Sequence, residues 1–324
     1  MHATDVSTDE IVKAARAFLD GLTTKERKAS VFDVDDDEWL KRSNVDGYEH
    51  QGARMGDLTE KQRNLGCALL GTALSADGLT QARNIMKLNA YLGDYSGGGK
   101  DTLTEGSYFF TFMGTPSTSK PWGVQYGGHH LAVHYFVLGD QVVMTPTFMG
   151  SEPTSATYNG EKITTFKKET KSGLTLLRSL TSAQQKKIIS SETKAGDNFK
   201  AGAGEDNAKL AYQGLAAKGW TEAQKNDLID LVRVYADVKK SEVEDEDHLD
   251  DTYFYWIGET KDGSAFYCRV HSPVVLIEYD VQSLIAYVTQ NRDPTQQYIH
   301  TIIRTPNGGD YGVDLLRLHL EHDH

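Results

Sequence analysis

Apolar residues along the chain switch between helical spacing and a period of two, and the switches divide it into five regions. Near the start, Ile11, Ala14, Ala15, Phe18 and Leu19 recur on one helix face. Ser7-Thr8-Asp9-Glu10 stands ahead of them and reads as a capping box with Ser7 as N-cap. Thr-x-x-Gln occurs at Thr59…Gln62, Thr181…Gln184 and Thr221…Gln224, each before a helical pattern. A threonine N-cap with glutamine three residues on marks a helix start. The spacing is irregular, so these are local caps rather than a repeat array. After Thr221, Leu228, Leu231, Val232 and Tyr235 share a face. Gly97-Gly98-Gly99 and the segment 194–204 read as loops. The acidic run 33–38, with Asp35-Asp36-Asp37, reads as a solvated loop, since no calcium-loop spacing follows it.

Two regions are rich in aromatic and β-branched residues. In the first, Tyr108–Met113, His129–Val137 and Gln141–Thr145 read as strands, with Gly139-Asp140 as a hairpin turn. In the second, residues 253–257, 265–271, 274–279 and 298–304 do the same, with Asp262-Gly263 as the turn. The pattern predicts helical residues 5–95, β residues 105–150, helical residues 175–240, β residues 250–305 and a C-terminal helix over 312–322. The expected architecture is one α+β domain over 1–324, with a mainly antiparallel β-sheet core built from the two β-rich blocks and wrapped by helices.

Composition narrows the function classes. With 34 basic and 46 acidic residues the formal charge is −12, which disfavours nucleic acid and anionic membrane surfaces as partners. No run approaches the roughly 20 apolar residues that span a bilayer, and Met1-His2-Ala3-Thr4-Asp5 lacks the basic start and apolar stretch of a secretory signal. Cys67 and Cys268 are far apart and form no CxxC. Two thiols in a cytoplasmic protein are expected. Walker, GxGxxG, HExxH and G-x-S-x-G motifs are absent, which argues against a nucleotide-cofactor enzyme or a serine hydrolase of the elbow type.

The residues with chemistry lie in the β blocks. Gly127-Gly128 precedes His129-His130, and imidazole is both a metal ligand and an acid–base group near neutral pH. A bulge at the glycines would turn both histidines toward one site. His134 shares a strand face with His130 but would stand about 13 Å away at roughly 3.3 Å per residue, too far for one ion. Glu278 sits in the apolar run Val274–Tyr279, where a carboxylate needs a partner or a metal. His300 alternates with Tyr298 and Ile302. Two histidines and a glutamate are the ingredients of a metal site with open positions. Thr145–Pro153 reads as a rigid loop presenting Glu152. Arg304 leads into the glycine-rich 306–312 loop, where Asp310 stands either as a base or as a helix cap. His319, His322 and His324 end the chain in a metal-friendly composition that is often incidental.

Several of these stretches resemble a family of bacterial and fungal proteins grouped as domain of unknown function 3500. They are Gly56–Arg63, Trp122-Gly123, Gly128–Leu131, Thr145–Pro153, Ser272–Tyr279, His300-Thr301 with Arg304, and Asn307–Asp310 with Tyr311-Gly312 and Leu315-Leu316-Arg317. The resemblance covers most of the chain in order and implies one full-length domain without an activity to carry over. The family pattern often has His-x-His where this chain has Tyr298-Ile299-His300, so His300 is the carried-over ligand and Tyr298 the departure. His134 falls outside the shared pattern, which favours a structural role.

The leading expectation is a metal-dependent enzyme acting on a small organic substrate, with hydrolysis by metal-bound water slightly favoured. His130, Glu278 and His300 would hold zinc or iron, with His129 as fourth ligand or proton shuttle. Arg304 would bind an anionic group, and Glu152 or Asp310 would act as general base. The alternatives are an iron- or copper-dependent oxidoreductase, a metal-free lyase or hydrolase using His129 or His130, and a non-catalytic protein whose Trp122, Tyr126 and Tyr255 line a ligand pocket.

Overall fold

The structure is a computed structural model that describes residues 2–3, 7–41, 43–44, 50–97, 99–202, 205, 209–236, 246–287, 293–306 and 308–322. Gly98, residues 203–204, Asn307 and His324 lie outside these, as does the side chain of His322.

Eight strands carry the site: β1 (Tyr108–Met113), β2 (Trp122–Gly128), β3 (Leu131–Leu138), β4 (Thr147–Ser151), β5 (Tyr253–Gly258), β6 (Phe266–His271), β7 (Leu276–Ser283) and β8 (Pro294–Arg304). They form the body of one sheet in the order β5-β6-β7-β8-β4-β3-β2-β1, antiparallel at every step. Short parallel strands close its edges, Ile189–Ser191 on β5 and Val31–Phe32 on β1. The expected α+β architecture is present. The two β blocks meet edge to edge where β8 pairs with β4, with Thr301 opposite Met149 and His300 opposite Gly150.

Period-two alternation gives the sheet two different faces. One carries Phe110, Phe112, Trp122, Tyr126, Val133, Met149, Ile277, Tyr279 and Ile299, all buried. The helices cover this face. Phe18 of α1 (Asp9–Gly21) packs on Phe110 with ring centroids 4.6 Å apart. The helices α2 (Thr24–Ser30), α3 (Glu60–Ala73) and α4 (Ala76–Ser96) continue the cover over the first block. Over the second block, α5 (Lys167–Ser179) lies with Gly173 facing Cys268, Phe266 and Trp256. The helices α6 (Ser182–Ile188) and α7 (Glu222–Ala236) complete this cover, whereas α8 (Val313–His322) packs Leu315 and Leu316 against a separate cluster of Trp39, Met113, Phe136, Val143 and Tyr311. Capping boxes start α3 and α6 at Thr59 and Thr181, and Thr221 and Gln224 exchange the same bonds before α7.

The opposite face carries Tyr267, Arg269, Glu278, Asp280, His300 and Arg304, also buried. Here the cover is an irregular strap, residues 194–202, with Ala211 and Gln213 beyond it. Polar strand residues need partners when buried, and the strap's backbone supplies them to Glu278, Asp280 and Arg304.

Several local expectations change. Thr8, not Ser7, is the N-cap of α1, and its hydroxyl donates to the Gly139 carbonyl instead of capping the helix. A capping box with no glutamine, Thr23…Glu26, starts α2. The acidic run holds a short 3-10 helix, Asp37–Leu40, that buries Trp39. His129-His130 is not strand but the two-residue turn between β2 and β3, because Gly128 pairs with Leu131. Thr147–Ser151, expected as loop, is the central strand β4; its prolines stand just outside it, where they remove no ladder bond. Strand β7 runs to Ser283, beyond the expected end at Tyr279. Cys67 and Cys268 are both free thiols.

Candidate functional site

The β4–β8 junction brings together histidines 170 positions apart in number. His130 ends the β2–β3 turn in the left-handed region, φ 62°, which a non-glycine residue adopts only under constraint. The constraint is visible: its carbonyl accepts the Gly150 N–H at 2.7 Å and its own N–H donates to the Asn44 carbonyl. Gly150 thus has His130 on one side and His300, its β8 partner, on the other. A Cβ at position 150 would stand 2.7 Å from His300 Cδ2 and 3.3 Å from His130 Cδ2. The missing side chain is the space in which the two rings meet, edge-on with centroids 5.4 Å apart.

His129 stacks on His130 at 3.8 Å. Its Nδ1 lies 2.7 Å from Oδ1 of Asn89, a buried residue of α4, and the Tyr108 hydroxyl donates to its carbonyl. An amide oxygen is acceptor only, so it fixes the proton on Nδ1. Tyr298, Phe148 and Phe199 surround His300 at 4.8, 5.0 and 6.0 Å between ring centroids. His300 Nε2 is buried without a hydrogen-bond partner. Burial holds the His300 imidazole down to about 3, opposed by the Asp197 charge. Burial likewise pushes His130 well below the usual histidine range, helped by His129 and His300. Both rings are therefore neutral at pH 7. A buried unpartnered ring nitrogen calls for an explanation, such as a catalytic role or an ion.

Glu278 does not join the histidines. It opposes Ile302 rather than His300 on β8. Its Oε1 accepts from the Tyr267 hydroxyl, and its two oxygens share the Lys200 N–H and take the Ala201 N–H at 2.7 Å. A carboxylate so occupied is a latch on the strap, not a ligand. Burial still raises its pKa against those donors. Arg304 and Asp310 bind each other at 2.8 Å, both about 1% exposed. The Arg304 fork also donates to the Ala201 and Gly202 carbonyls, and Asp310 accepts the Thr305 N–H. The expected anion anchor and base are thus consumed in holding the strap and the 305–310 turn. Glu152 accepts three successive amides, of Ile285, Ala286 and Tyr287, on one oxygen, and so pins that loop; burial raises its pKa despite them. His134 is buried with Nδ1 2.7 Å from the Pro146 carbonyl. Trp122 and Tyr126 belong to the hydrophobic core, while Tyr255 lies beneath the Arg269 guanidinium at 5.5 Å. His319 sits on α8.

Asp280, unforeseen in the sequence, faces His300 across β7–β8. Lys194 lies 3.0 Å from its Oδ1, and Asn198 N–H and the Gln282 amide bond its Oδ2. Burial and a hydrogen bond from Asp197 push its carboxyl up to about 7, opposed by Lys194. The period-two reading of 276–282 would have found it, had the strand been carried past Tyr279. Asn89 has no such signal, being one polar residue in a helical stretch.

Among the described residues, no group of three or more His, Cys, Asp or Glu side chains is set to hold a metal ion, and no helix is long and apolar enough to cross a membrane. A family model, Protein of unknown function (DUF3500), matches residues 4–313. The chain belongs to the DUF3500 family. No curated protein and no solved structure matches it. As a DUF3500 member its chemistry has to be argued from its own side chains.

Proposed function

We propose that this DUF3500 protein is an enzyme acting on a small organic molecule at the His130–His300 pair, with a divalent transition metal, zinc or iron, bound between the imidazoles. The observation that carries this reading is the buried, unpartnered Nε2 of His300, a ring that stands edge-on to a second neutral imidazole with centroids 5.4 Å apart. Neutral imidazole is the ligating form, whereas a ring held down to about 3 is a poor proton carrier at pH 7. Two imidazoles on one tetrahedral ion, with bonds of about 2.0–2.1 Å, put their ring centres roughly 5 Å apart; His130 and His300 stand at 5.4 Å. His129, at 3.8 Å from His130, is closer than a second ligand of the same ion would stand, so it serves as proton shuttle. The ion would supply Lewis acidity, and hydrolysis is the assigned reaction class.

Elemental analysis of protein purified without a metal-affinity tag tests this. Stoichiometric metal in the wild type, lost in His130→Ala and His300→Ala, is the expected result. Zinc would fit hydrolysis, and iron or copper would fit oxidation. Stoichiometric metal retained by both variants overturns the assignment. A metal-free acid–base enzyme is favoured by one observation, the lack of a ready three-donor set among the described residues. In it, half-exposed His129, oriented by Asn89, moves the proton. A metal-free wild type whose activity ignores chelators would select that reading.

A further inference from the structure

A groove of about 620 Å3 opens between α5 and the hairpin formed by Ser155–Tyr158 and Glu161–Thr164. Leu174 and Ile299 line it. Ile299 and His300 are successive on β8, so their side chains point to opposite faces and the groove is separate from the histidine pair. Its volume lies within the range of roughly 300–1,000 Å3 of small-molecule sites.

The charge of the groove runs against that of the chain. Lys162, Lys167, Lys171 and Arg178 line it, and the one acidic lining residue, Asp262, is bound to Arg178 at 2.7 Å. Lys162, Lys167 and Lys171 are exposed and pair with no carboxylate among the described residues. Lysines on a solvated helix face are commonplace. These three instead come from two elements, the hairpin and α5, and surround one concavity.

We infer that this groove binds a small, multiply anionic molecule carrying phosphate or carboxylate groups. Lysine ammoniums act as mobile point charges, which suits two or more anionic groups on a flexible ligand. Calorimetric titration of the full chain tests it, with inorganic pyrophosphate in one arm and citrate in the other. Saturable binding is expected in at least one arm, and the arm that binds identifies phosphate or carboxylate as the recognised group. Lys162→Gln, Lys167→Gln and Lys171→Gln combined should weaken it at least tenfold. Binding should fall as ionic strength rises from about 50 to 200 mM, as screening of exposed charge requires. Lys13→Gln, Lys25→Gln and Lys28→Gln combined remove equal charge from exposed positions on α1 and α2 and should leave binding unchanged. No saturable binding in either arm at about 1 mM, or an equal loss in both triple variants, overturns the inference. All six substitutions are at exposed positions, so the fold is retained, and circular dichroism checks this.

Discussion

Glu278 discriminates most sharply between a metal ligand and a latch, and two substitutions separate them. The carboxylate faces three donors: the Tyr267 hydroxyl, the Lys200 amide and the Ala201 amide. In Glu278→Gln one oxygen becomes an amide nitrogen. If that nitrogen takes the place of Oε1, the Tyr267 hydroxyl can turn and accept from it. The remaining oxygen keeps Ala201 at 2.7 Å and Lys200 at 3.2 Å. What is lost is the extra strength of charged hydrogen bonds, about 1–2 kcal/mol. In Glu278→Ala all three donors lose their acceptor. At about 1–3 kcal/mol for each unsatisfied buried group, with some relief from water entering the cavity, the cost is about 4 kcal/mol. The strap should also become the first segment cut by protease, because Lys200 and Ala201 lose their anchor.

The assay is urea unfolding at pH 7 of the wild type and both variants, with and without a chelator, followed by limited proteolysis. A latch gives the order wild type, Gln, Ala, with the same gaps in both solutions. A metal ligand gives a large loss already in Gln, and a gap that closes once chelator strips the wild type. An alanine variant within 1 kcal/mol of wild type, or gaps that vanish with chelator, would refute the latch.

Three further outcomes follow from the same geometry. Gly150→Ala should destabilise by about 1–3 kcal/mol through overpacking and lower any activity or metal content, since the new methyl meets His300 Cδ2 at 2.7 Å; an unchanged urea midpoint would show that the rings have room. Arg304→Met should cost about 3–5 kcal/mol by stranding buried Asp310, and adding Asp310→Leu should recover part of it; a double variant no better than the single would deny the coupling. Burial holds His271 down to about 4, below its usual 6.5. The unfolded chain therefore binds more protons in that interval, and the stability from neutral His271 is complete above pH 6.5 and lost as pH falls toward 4. His271→Phe should flatten the loss of thermal stability across that window, and an unaltered slope would remove His271 as its source.

The parts of this molecule legible in the sequence are those governed by spacing within one element. Thr59, Thr181 and Thr221 announced helices because a capping box is four residues long. Tyr108–Met113 announced a strand because alternation and β-branching act locally. Loop chemistry misled where its residues flank a strand instead of filling it. Pro146, Gly150 and Pro153 made 145–153 look irregular, although the prolines bracket a five-residue strand and the glycine is kept small by the rings on either side. The same ambiguity governs the site. His130 and His300 could be named as candidates from imidazole chemistry, but their contact depends on β4 entering the sheet between β3 and β8, a pairing of long sequence separation that no local pattern encodes. Glu278, Arg304 and Asp310 were named on the same chemical grounds and have other employment, because a charged residue on a buried strand face needs a partner whichever task it performs. Charge on an apolar strand therefore signals a buried polar face. What lies across from each residue, strap backbone for Glu278 and an unpartnered imidazole for His130, is what separates a latch from a candidate centre.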